Sequence, residues 1–261
     1  MSEAIDCVFS AEGQGPALLM VHGIGGRRQG WKGLIDHFKS DFHCISYDLR
    51  GHGDSPVPTA RFGLDDLVED LESVRRRAGV QKAHIIGHSL GGMIGPAYAR
   101  KYPDRVLSLT LLSTAAFRTA EDSAKVRGVV AALKEKGIGP MYDVLVDRWF
   151  TDEFVRTRPD GVEARRKEVE ETNPRIFLNV FEIYAETEMA PWLHEVESPS
   201  LVLTGEFDGG CNPRLNEQIA AALPNAELVI LRGLKHSIVQ EAPERVAEPV
   251  GKFLRAHKQT S

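Results

Sequence analysis

The chain has 261 residues, 42% of them hydrophobic and 26% charged, which suits one large or two small domains with a substantial core and excludes disorder as the main state. Its 32 basic and 37 acidic side chains leave a net charge of −5, so no uniform basic field exists to draw in nucleic acid or an anionic membrane. A small-molecule partner is expected instead. No apolar run approaches the roughly 20 residues that a bilayer requires. Met1 to Ser10 carries acids where a secretory leader has a basic stretch before an apolar core, so the expectation is a cytoplasmic protein. Cys7, Cys44 and Cys211 are an odd number at wide spacing, which suits reduced thiols better than a disulfide framework or a zinc site. The nine histidines include no H-E-x-x-H pair and no Cys/His cluster at ligand spacing, and neither metal nor cofactor is expected. Monomer and homodimer both remain open.

In chain order, Ala17–Val21, His43–Tyr47, Ala83–Ile86 and Val106–Leu112 are short continuous apolar runs, the pattern of strands buried on both faces of a parallel sheet. Between them, Leu64, Leu67, Val68, Leu71 and Val74 fall at helical spacing, and Arg75 to Arg77 reads as the solvated end of that helix. A further helix is expected over Leu90–Lys101. From Ala116 to about Ser198 the texture changes. One stripe runs through Val126, Val129, Val130 and Leu133, a second through Tyr142, Leu145, Val146 and Trp149, and a third through Phe177, Val180, Phe181 and Tyr184. They predict three or four helices, the last opened by Asn173 as cap and Pro174 at the first helical position. This segment holds 12 basic and 17 acidic residues and so carries the whole net charge, which argues against a membrane-docking role. Alternation then returns: strand Leu201–Thr204, helix Arg214–Leu223, strand Ala226–Leu231, helix Pro243–Arg255. It predicts an α/β fold, an open and mostly parallel sheet with helices on both faces, built from 1–115 and 199–261 with a helical insertion at 116–198.

Gly87-His88-Ser89-Leu90-Gly91 lies between a predicted strand and a predicted helix. The pattern G-x-S-x-G needs that context, because its serine sits on a sharp strand-to-helix turn where small flanking residues let the two elements approach. His22-Gly23-Ile24-Gly25-Gly26 follows the strand Ala17–Val21, where a hydrolase of this design places a backbone N–H for its oxyanion hole. Asp208 and His236 both lie just past predicted parallel strands, at the carboxyl ends where sites on open α/β sheets form. The chain order Ser89, Asp208, His236 is the order of this architecture. In these roles Ser89 is the nucleophile, His236 its base and Asp208 the group that orients the imidazole, with the Ile24 and Leu90 N–H groups holding the oxyanion.

Rival assignments are weaker. Glu206 would share a side of an extended segment with Asp208 and is a fallback acid. Ser113-Thr114-Ala115-Ala116, the other place for an acid, holds no carboxylate. His88 is expected to point away from Ser89 and pack, His22 to organise its loop, and Asp48 and Asp54 to form turns. Cys211 has no evident activating neighbour.

On these residues the chain resembles the α/β-hydrolase superfamily over essentially its whole length. Tyr47-Asp48-Leu49-Arg50-Gly51-His52-Gly53-Asp54-Ser55 is similar to the segment after the family's next strand. Leu203-Thr204-Gly205-Glu206-Phe207-Asp208 is similar to its acid loop, and Gly233-Leu234-Lys235-His236 to its histidine loop. The insertion matches the family's helical cap in place and size. Arg148-Trp149-Phe150-Thr151 and the overall length look most similar to 3-oxoadipate enol-lactonases and their esterase relatives. The resemblance implies a hydrolase of carboxylic esters or lactones working through an acyl-enzyme. Carbon–carbon bond hydrolysis, cofactor-free perhydrolysis and a receptor-like protein with little turnover remain alternatives. Arg27 or Arg28 could clamp a substrate carboxylate, or face solvent as a pair. Trp149 and Phe150 could wall an acyl pocket or pack the cap.

Overall fold

The apolar runs form the centre of one seven-stranded sheet in the computed structural model, which describes residues 4–258; the outermost residues of the expected core lie outside that range. The strands are β1 (Phe9–Glu12), β2 (Ala17–Val21), β3 (His43–Tyr47), β4 (Ala83–His88), β5 (Val106–Leu112), β6 (Ser200–Gly205) and β7 (Ala226–Leu231), in the spatial order β1-β3-β2-β4-β5-β6-β7. All neighbours are parallel except β1 and β3, where Phe9 lies opposite Tyr47. Every residue of β2 and β6 is buried, which is why these segments read as unbroken apolar or small runs. β1 was not expected from the sequence. As an antiparallel edge with three exposed residues, Phe-Ser-Ala-Glu needs no apolar run.

Eleven α-helices among the described residues accompany the strands. They are α1 (Lys32–Phe38), α2 (Leu64–Arg77), α3 (Gly91–Lys101), α4 (Ala120–Lys136), α5 (Tyr142–Trp149), α6 (Asp152–Thr157), α7 (Pro159–Glu171), α8 (Pro174–Glu186), α9 (Pro213–Ala222), α10 (Ile238–Glu241) and α11 (Pro243–Ala256). Successive side chains of a strand point to opposite faces. Leu19 and Val21 accordingly join one core with α2, α3 and α9, while Leu18 and Met20 join a second with α1, α10 and α11. The expected α/β architecture is the one observed. α1 lacked a sequence signal because its seven residues bury only Leu34, Ile35 and Phe38.

Between β5 and β6 the chain forms five helices, α4 to α8, where three stripes suggested three or four. α4, α5, α7 and α8 share a small core of Val129, Leu133, Tyr142, Leu145, Val169 and Phe177, joined by Met141 just before α5. α6 and α7 supplied no stripe. α7 buries only Arg165 and Val169, so most of its surface is polar. No described helix is long and apolar enough to cross a membrane.

The loop after β3 is fastened to α2 by a buried ion pair. Arg50 is 2% exposed and Asp70 fully buried, and two parallel bonds join them, Nε to Oδ2 at 2.6 Å and Nη2 to Oδ1 at 2.7 Å. Oδ1 of Asp70 also accepts the Ile5 N–H at 2.9 Å. Removing the carboxylate strands a buried guanidinium. Asp70→Ala is therefore expected to cost about 3–5 kcal/mol of stability, read from the urea midpoint at unchanged slope.

Candidate active site

Ser89 follows the last residue of β4 and precedes α3, and its φ of 56° is in the left-handed region that a non-glycine residue rarely occupies. Two backbone-directed bonds hold it there: its N–H donates to Leu112 O at 2.8 Å and its carbonyl accepts from Thr114 Oγ1 at 3.0 Å. The flanking glycines explain the close turn, since a Cβ on Gly87 would overlap the Gly91 carbonyl, and one on Gly91 would overlap the carbonyl of Val21 in β2. The Leu90 N–H opens α3, at the end of a helix where unpaired donors and the dipole favour negative charge.

The loop after β2 lies against this turn, with Gly23 packed on the Ser89 Cβ. It is glycine-rich and is held from outside. The Leu49 N–H donates to His22 Nε2 at 3.0 Å, which puts the His22 proton on Nδ1, and Nδ1 donates to Gly23 O at 2.7 Å. By the same logic, His52 Nε2 accepts the Gly25 N–H at 3.1 Å while its Nδ1 donates to Arg50 O at 3.1 Å. Burial pushes the pKa of both imidazoles down to about 3, so both are neutral. The N–H groups of Ile24 and Leu90 have no acceptor among the described residues.

Asp208 lies on the loop after β6 and is 2% exposed. Its Oδ1 accepts the N–H groups of Gly210 at 3.0 Å and Cys211 at 2.8 Å, and its Oδ2 lies 2.7 Å from His236 Nδ1. Burial opposes the Asp208 charge, but His236 and those N–H donors hold its pKa below the ordinary carboxylate value. Burial likewise works against a charged His236, yet the Asp208 carboxylate dominates and raises the imidazole above 6.5. Glu206 is exposed, with Oε2 taken by the Gly233 N–H at 2.8 Å. His88 does not turn away. It lines the same cavity as Ser89, and its Nε2 donates to the His236 carbonyl at 3.0 Å.

A cavity of about 110 Å³ brings Ser89, Asp208 and His236 together with Ile24, Arg27 and Trp149. Arg28 and Phe150 are not among its lining residues. Arg28 is drawn off by Asp48 and by Asp54 at 2.7 Å, and Phe150 stacks on Phe154 at 4.8 Å between ring centroids. Asp48 is indeed a turn-former, accepting the Arg28 N–H at 2.7 Å and the Asp54 N–H at 3.1 Å. The cavity also receives Tyr184, read from the sequence as part of an apolar stripe, Arg148, read as part of a family-like stretch, and Arg165, which the sequence did not single out. Arg165 sits in the run Arg165-Arg166-Lys167, where nothing in the sequence separates an inward side chain from a solvated one. Cys211, Asp208 and His236 approach closely enough to suggest metal ligation, but the 2.7 Å His236–Asp208 bond occupies the facing nitrogen and oxygen. All three cysteines are free and buried.

Residues 16–243 match the family described as alpha/beta hydrolase fold. The 3-oxoadipate enol-lactonase 2 of Acinetobacter baylyi is 28% identical over 193 residues, covering 74% of this chain and 72% of that protein. The (E)-2-((N-methylformamido)methylene)succinate hydrolase of the same organism is 24% identical over 250 residues, covering 94% and 93%. A thermophilic esterase from Thermogutta terrifontis, solved with malate bound, superposes with a TM-score of 0.87 at 28% identity, covering 98% of this chain and 95% of that one.

The buried imidazoles make acid stability predictable in sign. His22, His52 and His88 have pKa values lowered to about 3, and His84 to about 4, all by burial. Below 6.5 the unfolded chain binds these protons and the folded chain does not, so stability falls on acidification from about 6.5 toward 3. His236, with its raised pKa, is protonated in both states below 6.5 and does not offset the fall. Urea unfolding at pH 7 and pH 5 should give the lower midpoint at pH 5, with a smaller difference in His52→Gln.

Proposed function

The chain belongs to the α/β-hydrolase fold family, and on that premise we propose that it is a serine hydrolase cleaving a carboxylic ester or lactone of a small molecule through an acyl-enzyme. This reading rests on one cavity that brings together a serine on a strained turn, a buried Asp208–His236 pair and the unpaired Ile24 N–H; the Leu90 N–H, also unpaired among the described residues, belongs to the residue that follows Ser89 and is not itself in the cavity lining. Ser89 Oγ attacks the acyl carbon as His236 Nε2 takes its proton, and Asp208 stabilises the imidazolium and fixes its tautomer. The negative oxygen of the tetrahedral intermediate accepts from the Ile24 and Leu90 N–H groups. His236 returns the proton to the leaving alkoxide, and the acyl group remains on Ser89. Water then repeats the sequence, losing its proton to His236 and releasing the acid. In a lactone the leaving oxygen stays in the acyl group throughout, and deacylation releases one molecule that carries both the acid and that oxygen.

Residues 116–198 act in this reading as a cap inserted between 1–115 and 199–261. Its Trp149 forms an aromatic wall of the cavity. An anionic substrate fits the charges there. Arg27 lines the cavity and pairs with Glu171 at 2.6 Å, yet its Nε is buried without a partner. A buried donor left unpaired costs about 1–3 kcal/mol, which a substrate carboxylate would recover. The names of both relatives refer to acids, and the esterase structure carries malate, a dicarboxylate.

Turnover of a panel of aryl esters, an enol-lactone and a vinylogous diketone tests the reading. Ser89→Ala should lower kcat about 10⁶-fold on the preferred member, and cleavage at the wild-type rate in that variant would overturn the mechanism. Preference for the diketone would move the assignment to carbon–carbon hydrolysis, and a ligand-dependent rise in Tm without product would move it to a receptor. Because His236 works as the neutral base and its pKa is raised, kcat/KM should rise with pH along a limb centred above 6.5. Arg27→Ala should lower the preference for acidic over neutral esters about 10- to 100-fold, the worth of one charged hydrogen bond.

A further inference from the structure

We propose that Arg165 on α7 is a positioning residue that holds the oxyanion loop in place from the cap, through hydrogen bonds to the consecutive carbonyls of Ile24 and Gly25. The proposal rests on the reading of Ile24 as an oxyanion donor and adds the group that fixes its position. Arg165 is 8% exposed on a helix whose other charged residues are not buried, and turning a guanidinium inward is costly unless its donors are satisfied. They are largely satisfied by the loop: Nη2 donates to Ile24 O at 2.8 Å and Nη1 to Gly25 O, with Nη1 also 3.1 Å from Glu168 Oε2. The guanidinium carbon stands 4.7 Å from the Trp149 ring centroid, which limits its movement from the other side.

The loop needs such a hold. Gly23, Gly25 and Gly26 surround Ile24, Gly25 has φ of 64°, and glycine backbone offers little resistance to rotation. Peptide planarity makes the outside contacts decisive, because fixing one end of a peptide unit fixes the other. The unit joining Ile24 and Gly25 is held at its oxygen by Arg165 and at its N–H by His52. The unit before it is held at the Gly23 oxygen by His22, and its Ile24 N–H is left unpaired. Arg165 is thus the one cap side chain in this set of restraints. Its Nη atoms point at main chain and Glu168, whereas Arg27 keeps an unpartnered Nε, so the two arginines divide the work: Arg165 positions and Arg27 binds.

The test compares the full chain with Arg165→Gln, Arg165→Lys and Arg166→Gln, whose exposed residue pairs with Glu170 at 3.0 Å. Steady-state kinetics on the preferred panel ester are read beside the affinity for phenylboronic acid, which adds to Ser89 and places a charged oxygen where the oxyanion forms. Arg165→Gln should lower kcat about 100-fold, the effect of a displacement near 1 Å. It should change KM less than about threefold and weaken boronate binding by the same factor as kcat. Arg165→Lys, which keeps the charge but not the fork, should fall between it and wild type, and Arg166→Gln should match wild type. A raised KM at wild-type kcat would make Arg165 a substrate clamp, and wild-type kinetics with only a lower Tm would make it structural; either overturns the proposal. If Arg165→Gln does not fold, Arg165→Lys decides, with wild-type kcat counting against. Activity surviving in Ser89→Ala would instead remove the serine mechanism, whereas inactive Ser89→Ala beside unaffected Arg165 variants would remove this inference alone.

Discussion

The close approach of β2, β4 and α3 is the constraint on which the site depends. With no side chain at Gly87 or Gly91, the chain can turn sharply enough to put Ser89 at the top of the sheet with φ of 56°. A left-handed non-glycine residue costs about 1–3 kcal/mol and persists only where its surroundings over-determine it. Here the Leu112 carbonyl, the Thr114 hydroxyl and the packed Gly23 do so. The parallel order then brings the loops after β2, β4, β6 and β7 to the same edge, so residues from 22 to 236 share one cavity.

Burial sets the charge of each group around that cavity according to its partner. His22, His52 and His88 meet only backbone donors and acceptors through their ring nitrogens and stay neutral. His236 meets a carboxylate and is pulled the other way, although it too is removed from water. Neutral imidazoles can accept as well as donate, which lets His22 and His52 brace a loop without placing charge beside it. The charge is confined to the arginines and to the Asp208–His236 pair.

The helical segment between β5 and β6 is seated on two of these loops. Arg165 reaches the loop after β2, and residues 147–151 reach the histidine loop and the end of α10. Ser237 donates its N–H to Trp149 O at 2.8 Å, Lys235 Nζ to Asp147 O at 2.7 Å, and the Thr151 N–H to Glu241 at 3.2 Å. Arg148-Trp149-Phe150-Thr151, the stretch with the most family-like texture in the segment, is therefore a seat as well as a wall. Movement of the segment would disturb the loops bearing His236 and Ile24 together.

Local pattern was enough for the buried strands, the strand–turn–helix context of Ser89 and the parallel α/β architecture, because burial on both faces leaves an unbroken apolar run and a tight turn leaves glycines. It was insufficient for several elements that are half-exposed or short. β1 with three exposed residues, α1 with three buried ones, and α7 with Arg165 and Val169 inward all escaped. Side-chain direction was the larger loss. Arg27 and Arg28 are identical neighbours, yet one lines the cavity and the other is taken by Asp48 and Asp54; Trp149 and Phe150 divide in the same way. Periodicity records how much of a residue is buried. The partner that claims a side chain comes from a remote part of the chain, 141 residues away for Arg165 and Ile24, and only packing brings the two together.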